Sequence, residues 1–144
     1  MIRIIPAFSF AASLVALAPL GAAAQELTVR VSGIAEARGE IGCALHASGA
    51  SFPTGQAGAR IVWIKATGSE VRCRFGDIGA GSYAVAISHD LNGNRRTDTN
   101  FLGMPTEAWG VSNNVRPSLR APRFEEARFE TDGSAQTISV RIAK

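Results

Sequence analysis

Apolar side chains recur at every second position over most of the chain after residue 25. The alternation falls into seven short runs, at residues 27–31, 41–45, 61–64, 71–75, 83–88, 127–131 and 138–142. Clusters of glycine, serine, asparagine and aspartate separate the runs. Because successive side chains of a strand point to opposite faces, this period predicts seven short strands. No window of twelve or more residues after residue 25 keeps a helical period, and residues 121–128 could hold one helical turn at most.

Seven short strands in one chain of 144 residues favour an all-β fold. We expect a small Greek-key sandwich of about seven strands, immunoglobulin-like or transthyretin-like, with one long loop over residues 90–125. The length suits one domain, which we place at residues 25–144. Tyr83 follows a glycine-rich stretch that resembles a sandwich corner, where a tyrosine hydroxyl bonds back to the backbone. The alternative for Tyr83 is an ordinary core aromatic at the start of a strand.

The two cysteines, Cys43 and Cys73, both lie on the apolar phase of their predicted strands. An even number of cysteines in an exported chain favours a disulfide, either between neighbouring strands or between facing sheets. The alternative is a pair of buried free thiols. The spacing is too wide for a Cys-x-x-Cys redox motif, and two histidines are too few to complete a convincing zinc site.

Residues 1–24 have the three parts of a signal peptide. Arg3 supplies a positive start, residues 4–18 are apolar or small, and Ala22 to Ala24 fit the small-residue cleavage rule. We predict cleavage after Ala24 and a mature protein that is periplasmic or secreted, with no membrane span after cleavage. The alternative, an uncleaved anchor, needs about 20 apolar residues, more than this stretch offers.

The net charge argues against nucleic acid as a partner. It is +3 for the whole chain and +2 once Arg3 is removed. Nucleic-acid binders usually concentrate lysine and arginine on one face, whereas the arginines here are scattered among acidic residues.

The predicted loop at residues 90–125 has no clear period and is rich in glycine, proline and asparagine. A loop this long in a small domain is usually functional or held by its own contacts. Its apolar residues predict that it packs against the sandwich; they are Phe101, Leu102, Met104, Trp109 and Val111. Phe101, Trp109 and Arg116 could instead line a groove for a peptide or a glycan, because aromatic rings supply stacking faces.

The start of this loop has the spacing of a calcium-binding loop. Asp90, Asn92, Asn94 and Asp98 place side-chain oxygens at relative positions 1, 3, 5 and 9, and the Arg96 carbonyl falls at position 7. With two carboxylates we expect at most weak, roughly millimolar affinity. The alternative is an asparagine-rich turn whose side chains bond to their own backbone.

A small periplasmic hydrolase that uses His89 with Asp90 or Glu107 is the alternative function. Adjacent strand residues face opposite sides, so His89 and Asp90 need not cooperate. No nucleophile motif frames the serines and threonines nearby. We therefore expect a non-enzymatic binding or structural module whose partner is an envelope protein, a peptide or a glycan.

The residues from Gly81 to the Phe124-Glu-Glu-Ala segment carry a family resemblance. Its most specific part is residues 89–126, which include His-Asp-Leu-Asn-Gly-Asn at 89–94 and Asp-Thr-Asn-Phe-Leu-Gly-Met-Pro-Thr-Glu-Ala-Trp-Gly-Val at 98–111. The chain closely resembles an exported bacterial family called domain of unknown function 2141. The resemblance implies a signal peptide and an all-β domain, and it implies no established activity. Many relatives have glycine where this chain has Arg95.

Overall fold

The computed structural model describes residues 25–144, so the predicted signal peptide lies outside the described residues. The strands are β1 Glu26–Ser32, β2 Glu40–His46, β3 Arg60–Lys65, β4 Glu70–Gly76, β5 Gly81–Asp90, β6 Trp109–Val111, β7 Phe129–Thr131 and β8 Gln136–Arg141. A 3-10 helix occupies Ser112–Asn114, and one turn of α-helix, α1, occupies Phe124–Ala127. Within residues 25–144, no helix is long and apolar enough to cross a membrane.

The strands form two sheets, which confirms the predicted all-β sandwich. The smaller sheet has the order β4-β1-β8, with β1 antiparallel to β4 and parallel to β8. The larger sheet has the order β3-β2-β5-β6, and β7 pairs with the first residues of β5. The seven predicted runs correspond to the seven strands other than β6. Strand β6 lies inside the segment predicted to be a loop.

Alternate residues of the strands fill the space between the two sheets. Burial along β4 alternates strictly, with Val71, Cys73 and Phe75 inside and their neighbours exposed. Leu27, Val29 and Val31 of β1, each with no exposed surface, lie beside them on the same face of that sheet. Burial of each such side chain contributes about 1.5–3 kcal/mol to the free energy of folding. The two-residue period of the sequence therefore determines which face of each strand enters the core.

The disulfide between Cys43 and Cys73 joins the two sheets. Cys43 lies on β2 of the larger sheet and Cys73 on β4 of the smaller one. Their Cα atoms are 6.4 Å apart, and both side chains are fully buried. The predicted bridge is therefore confirmed, and of the two geometries considered it connects facing sheets.

Tyr83 makes the contact expected of a sandwich corner. Its hydroxyl donates a hydrogen bond to the Gly79 carbonyl, four residues upstream, at 3.1 Å. The ring also packs against the core as a partly buried aromatic. The bond ties the turn before β5 to the start of that strand, which carries much of the candidate site described next.

Candidate ligand-binding groove

The outer face of the larger sheet, turned away from the smaller sheet, carries small residues on its two central strands. Cross-strand pairing aligns them with larger apolar residues on the flanking strands in two rows. One row contains Ile61, Ala44, Ala86 and Val111, and the next contains Trp63, Gly42, Ser88 and Trp109. Strands lie about 4.8 Å apart, so the backbones of the two tryptophans are about 14 Å apart. Small residues between large ones make a trough, which we call the outer-face groove.

Gly42 is required by the position of the Trp63 ring. A Cβ atom at residue 42 would lie 2.6 Å from two ring carbons of Trp63, closer than carbon atoms can approach. The indole therefore lies directly over the backbone of β2. Any larger residue at position 42 would push the ring away and change this wall of the groove.

Each tryptophan of the groove has an arginine against its ring. The Arg116 guanidinium lies 4.2 Å from the centre of the Trp109 ring, and that of Arg95 lies 5.4 Å from the Trp63 ring. Arg116 also donates hydrogen bonds to the carbonyls of Trp109 and Ala143, at 3.0 and 2.7 Å. These contacts hold Trp109 against the last residues of the chain.

Two cavities lie along the outer-face groove and share part of their lining, including Ala86, Pro53 and Thr97. The larger cavity has a volume of about 270 Å³ and is bounded mainly by apolar residues. Three of its apolar side chains are largely open to solvent: Leu102 at 71%, Met104 at 45% and Leu119 at 94%. The smaller cavity is more polar, so the groove has an apolar end and a polar end.

The predicted ligand-binding residues fall in different places. Trp109 lines the larger cavity, whereas Phe101 and Arg116 line neither cavity. Phe101 is 94% exposed, so the expectation that the loop's apolar residues all pack against the sandwich is wrong for it and for Leu102. The reason is a tight turn: the Asn100 side chain accepts the backbone N–H groups of Leu102 and Met104, and this turn holds the tip away from the sheet.

The polar end of the groove is basic. Arg95, Arg96 and Thr97 line it together with Gln56, whose side-chain amide donates to the Arg95 carbonyl at 2.9 Å. The Arg95 guanidinium is paired with Glu40 through two hydrogen bonds of 2.9 and 3.1 Å, which lower the pKa of that carboxyl. Arg96 makes no salt bridge within residues 25–144.

A second paired arginine lies at the apolar end. Arg120 lines the larger cavity and donates two hydrogen bonds to the Glu126 carboxylate, at 2.9 and 2.6 Å. This contact, together with the Arg123 backbone N–H, lowers the pKa of Glu126 to about 2. The charge of Arg120 is thus already neutralised by a neighbouring carboxylate.

The loop at residues 90–98 brings three of its five predicted calcium ligands together, namely Asn92, Asn94 and Asp98. The side-chain amides of Asn92 and Asn94 both donate to the Asp98 carboxylate, at 2.5 and 2.8 Å. The Asn94 side-chain oxygen accepts the Arg96 backbone N–H at 2.9 Å. Among the residues that the structure describes, no group of three or more His, Cys, Asp or Glu side chains is placed to hold a metal. Calcium in this loop stays a prediction.

Asp90 has a different role in this loop from Asn92, Asn94 and Asp98. Its side chain has no exposed surface, and its two oxygens accept the backbone N–H groups of Gly93 and Arg95 at 2.8 and 2.7 Å. Arg95 has a φ of +54°, a conformation that glycine adopts more easily. Asp90 therefore holds a turn that would otherwise leave two backbone donors unpaired.

The three residues of the alternative hydrolase are not assembled into a catalytic pair. His89 pairs across the sheet with Ile41 on the core side, and its Nε2 atom lies 2.8 Å from the Arg38 carbonyl. Asp90 faces the other side and bonds to its own loop. One oxygen of Glu107 accepts the Leu91 N–H at 2.9 Å, while the other has no partner within the described residues.

Sequence reasoning missed several residues of the groove, namely Gly42, Ala44, Trp63, Ala86 and Ser88, and it singled out Arg96 only for its backbone carbonyl. The signal was present in part, because small residues alternate with large ones on two of the predicted strands. Its meaning depends on β2 and β5 being adjacent, which the sequence pattern does not state.

These features define a small, disulfide-bridged β-sandwich protein with a groove on the outer face of one sheet. A family model matches residues 29–139 and is described as "Uncharacterized protein conserved in bacteria (DUF2141)". The match covers most of the chain, so the chain belongs to this family, as the resemblance implied. No curated protein and no solved structure matches the chain.

Proposed function

We propose that the protein is an exported envelope protein that binds a ligand in the outer-face groove without transforming it. The observation that carries the proposal is the trough of small residues on β2 and β5 between the larger residues of β3 and β6; its small residues are Gly42, Ala44, Ala86 and Ser88. Solvent-exposed apolar side chains border it, a feature typical of binding surfaces. Its larger cavity is near the lower end of the range of about 300–1,000 Å³ found for ligand pockets.

Two observations support export. The buried Cys43–Cys73 bridge is of the kind that persists in oxidising compartments such as the periplasm. The first 24 residues have the pattern of a cleaved signal peptide. Together they favour the cell envelope as the place where the groove meets its ligand.

Filling the groove tests the proposal. N-phenyl-1-naphthylamine is an uncharged apolar dye whose fluorescence rises when it leaves water. We expect the wild type to enhance its fluorescence and Ala86→Phe to abolish the effect, because the new ring occupies the space shared by both cavities. Thr137→Phe, on an exposed position of β8 in the other sheet, is the matched control and should leave the enhancement unchanged.

Thermal melting of each variant shows whether it is folded. Should Ala86→Phe unfold, Ala44→Phe places the same ring on the half-buried neighbouring position of the trough. Equal dye enhancement by the wild type and a folded groove-filling variant would refute the proposal, as would no enhancement by the wild type.

We also propose that calcium stabilises the loop at residues 90–98. Asn92, Asn94 and Asp98 already converge. A 180° turn of the two amides would direct their oxygens to the same point, in exchange for the hydrogen bonds that these oxygens now accept from the Asn94 and Arg96 backbone N–H groups. The Arg95 guanidinium is held by Glu40, so its charge is compensated. The buried second oxygen of Glu107, beside Leu91, still lacks a partner within the described residues.

Calcium should therefore raise the melting temperature of the protein. At about 10 mM calcium and a dissociation constant of about 1 mM, the gain is about 1.4 kcal/mol, or about 5 °C for a domain of this size. Magnesium at the same concentration controls for ionic strength. Asp98→Asn keeps the shape of the loop but removes one carboxylate, so it should lose the shift. An unchanged melting temperature of the wild type would exclude the ion.

A further inference from the structure

We propose that the ligand of the outer-face groove is a single-chain anionic amphiphile, with its acidic group at Arg96 and its alkyl chain along Ala86 toward Leu119. A fatty-acid-type carboxylate is the chemical class that fits. This inference rests on the proposed function, because both place the ligand in the same groove.

The charge of the lining supports an anion. The two cavities are lined by three arginines, Arg95, Arg96 and Arg120, and within the described residues no aspartate or glutamate lines either one. Glu40 and Glu126 neutralise the first and the third of these arginines from outside the cavities. Arg96 is exposed and has no carboxylate partner within residues 25–144, so one positive charge remains uncompensated at the polar end.

The division of the groove into two ends supports an amphiphile and its orientation. The polar end offers hydrogen-bonding side chains at Gln56, Ser88 and Thr97 beside Arg96. The apolar end offers Leu102, Met104, Trp109 and Leu119, with four prolines around them. Because Ala86 and Thr97 line both cavities, one extended molecule can lie across the two ends without leaving the groove.

The size of the groove supports a short chain. Its larger cavity, about 270 Å³, is small among ligand pockets. The polar end holds Trp63 and the apolar end holds Trp109, so the ligand crosses strands β2 and β5 and spans roughly the 14 Å between the two tryptophan backbones. A single alkyl chain fits such a trough, whereas a folded peptide or a branched glycan needs a wider one.

Three amphiphiles with the same alkyl chain and different head groups test whether the groove prefers an anion. Octanoate, octanol and octyltrimethylammonium can be titrated against the intact protein while its tryptophan fluorescence is recorded, because both tryptophans line the groove. We expect octanoate to bind roughly fivefold more tightly than octanol, the effect of about 1 kcal/mol, and the cation to bind most weakly.

Removal of the uncompensated charge of Arg96 tests the orientation of the ligand in the groove. Arg96→Gln should weaken octanoate binding by roughly fivefold and leave octanol binding unchanged. Arg72→Gln, on the exposed face of β4 in the other sheet, lowers the net charge equally and should change neither affinity. This control separates a local contact from the overall charge of the protein.

The outcomes separate this inference from the proposed function. Equal binding of octanoate and octanol, or tighter binding of the cation, would overturn the inference, and dye binding in the groove would still support the proposed function. Tighter binding of a short aspartate-rich peptide than of octanoate would also overturn it. If the wild type binds neither the dye nor octanoate, both the inference and the proposed function are refuted.

Discussion

We expect the Cys43→Ala/Cys73→Ala double variant to lose about 3–4 kcal/mol of its free energy of unfolding. The bridge closes a loop of 30 residues, and in the chain-entropy model a closed loop of that length restricts the unfolded chain by this amount. A domain of this size has a total stability of about 5–15 kcal/mol, so the loss is a large fraction of it. The measurement is the urea midpoint of both proteins.

Wild-type protein whose bridge has been reduced in denaturant, then refolded with free thiols, is the matched control. It keeps both sulfur atoms in the core, so it separates the cross-link from the space left by the two alanines. Oxidised and reduced wild type with the same urea midpoint would contradict the expected role of the bridge. A loss seen only in the double variant would assign the effect to packing.

The bridge has a structural consequence beyond its contribution to stability. It fixes β2, one of the two strands of the groove floor, to β4 of the opposite sheet. Gly42 and Ala44 flank Cys43 directly on β2, so the groove floor is anchored from the core side. Reduction of the disulfide should therefore weaken dye binding before the protein unfolds globally.

The alternation of side chains predicted most of the fold because burial on one face of a strand is a local property. Strand β4 agrees with the prediction most closely, because every second residue is buried along its whole length. Strand β6 was missed because three residues, Trp109 to Val111, are too few for a period to be recognised. Its place in the sheet is determined by pairing with β5 and by the two backbone hydrogen bonds that Trp109 exchanges with Ala143, both distant in sequence.

The groove could not be predicted from the sequence for a different physical reason. Small residues on one strand, such as Ala84, Ala86 and Ser88, indicate only that something packs closely on that face. A trough forms when a second strand with small residues lies beside the first and strands with large residues lie outside both. The order β3-β2-β5-β6 meets that condition, and this order arises from long-range pairing.

The loop at residues 90–98 matches the motif read from its sequence only in part. The spacing grouped Asn92, Asn94 and Asp98, and these three side chains converge because alternate side chains of a tight loop turn inward. It also grouped Asp90 with them as a fourth ligand. In the structure both oxygens of Asp90 are bound to backbone donors, so this residue acts first as the support of the turn.

Replacement of Asp90 by alanine should lower the free energy of unfolding by about 3 kcal/mol, because a hydrogen bond to a charged group contributes about 1.5–3 kcal/mol and Asp90 accepts two. The N–H groups of Gly93 and Arg95 would lose their acceptors. Asp90→Asn should cost less, since the amide oxygen still accepts one N–H while its NH₂ group opposes the other. Urea midpoints measured in excess chelator exclude any contribution from calcium.

Asp98→Ala is the matched control, because it removes a carboxylate from the same loop whose partners are exposed side-chain amides of Asn92 and Asn94. Water replaces those contacts, so we expect a loss below about 1 kcal/mol. Hydrogen exchange adds a local readout: the Gly93 and Arg95 amides should lose protection in Asp90→Ala and keep it in Asp98→Ala. Equal losses of stability in the two variants, with equal exchange at both amides, would show that Asp90 does not hold the turn.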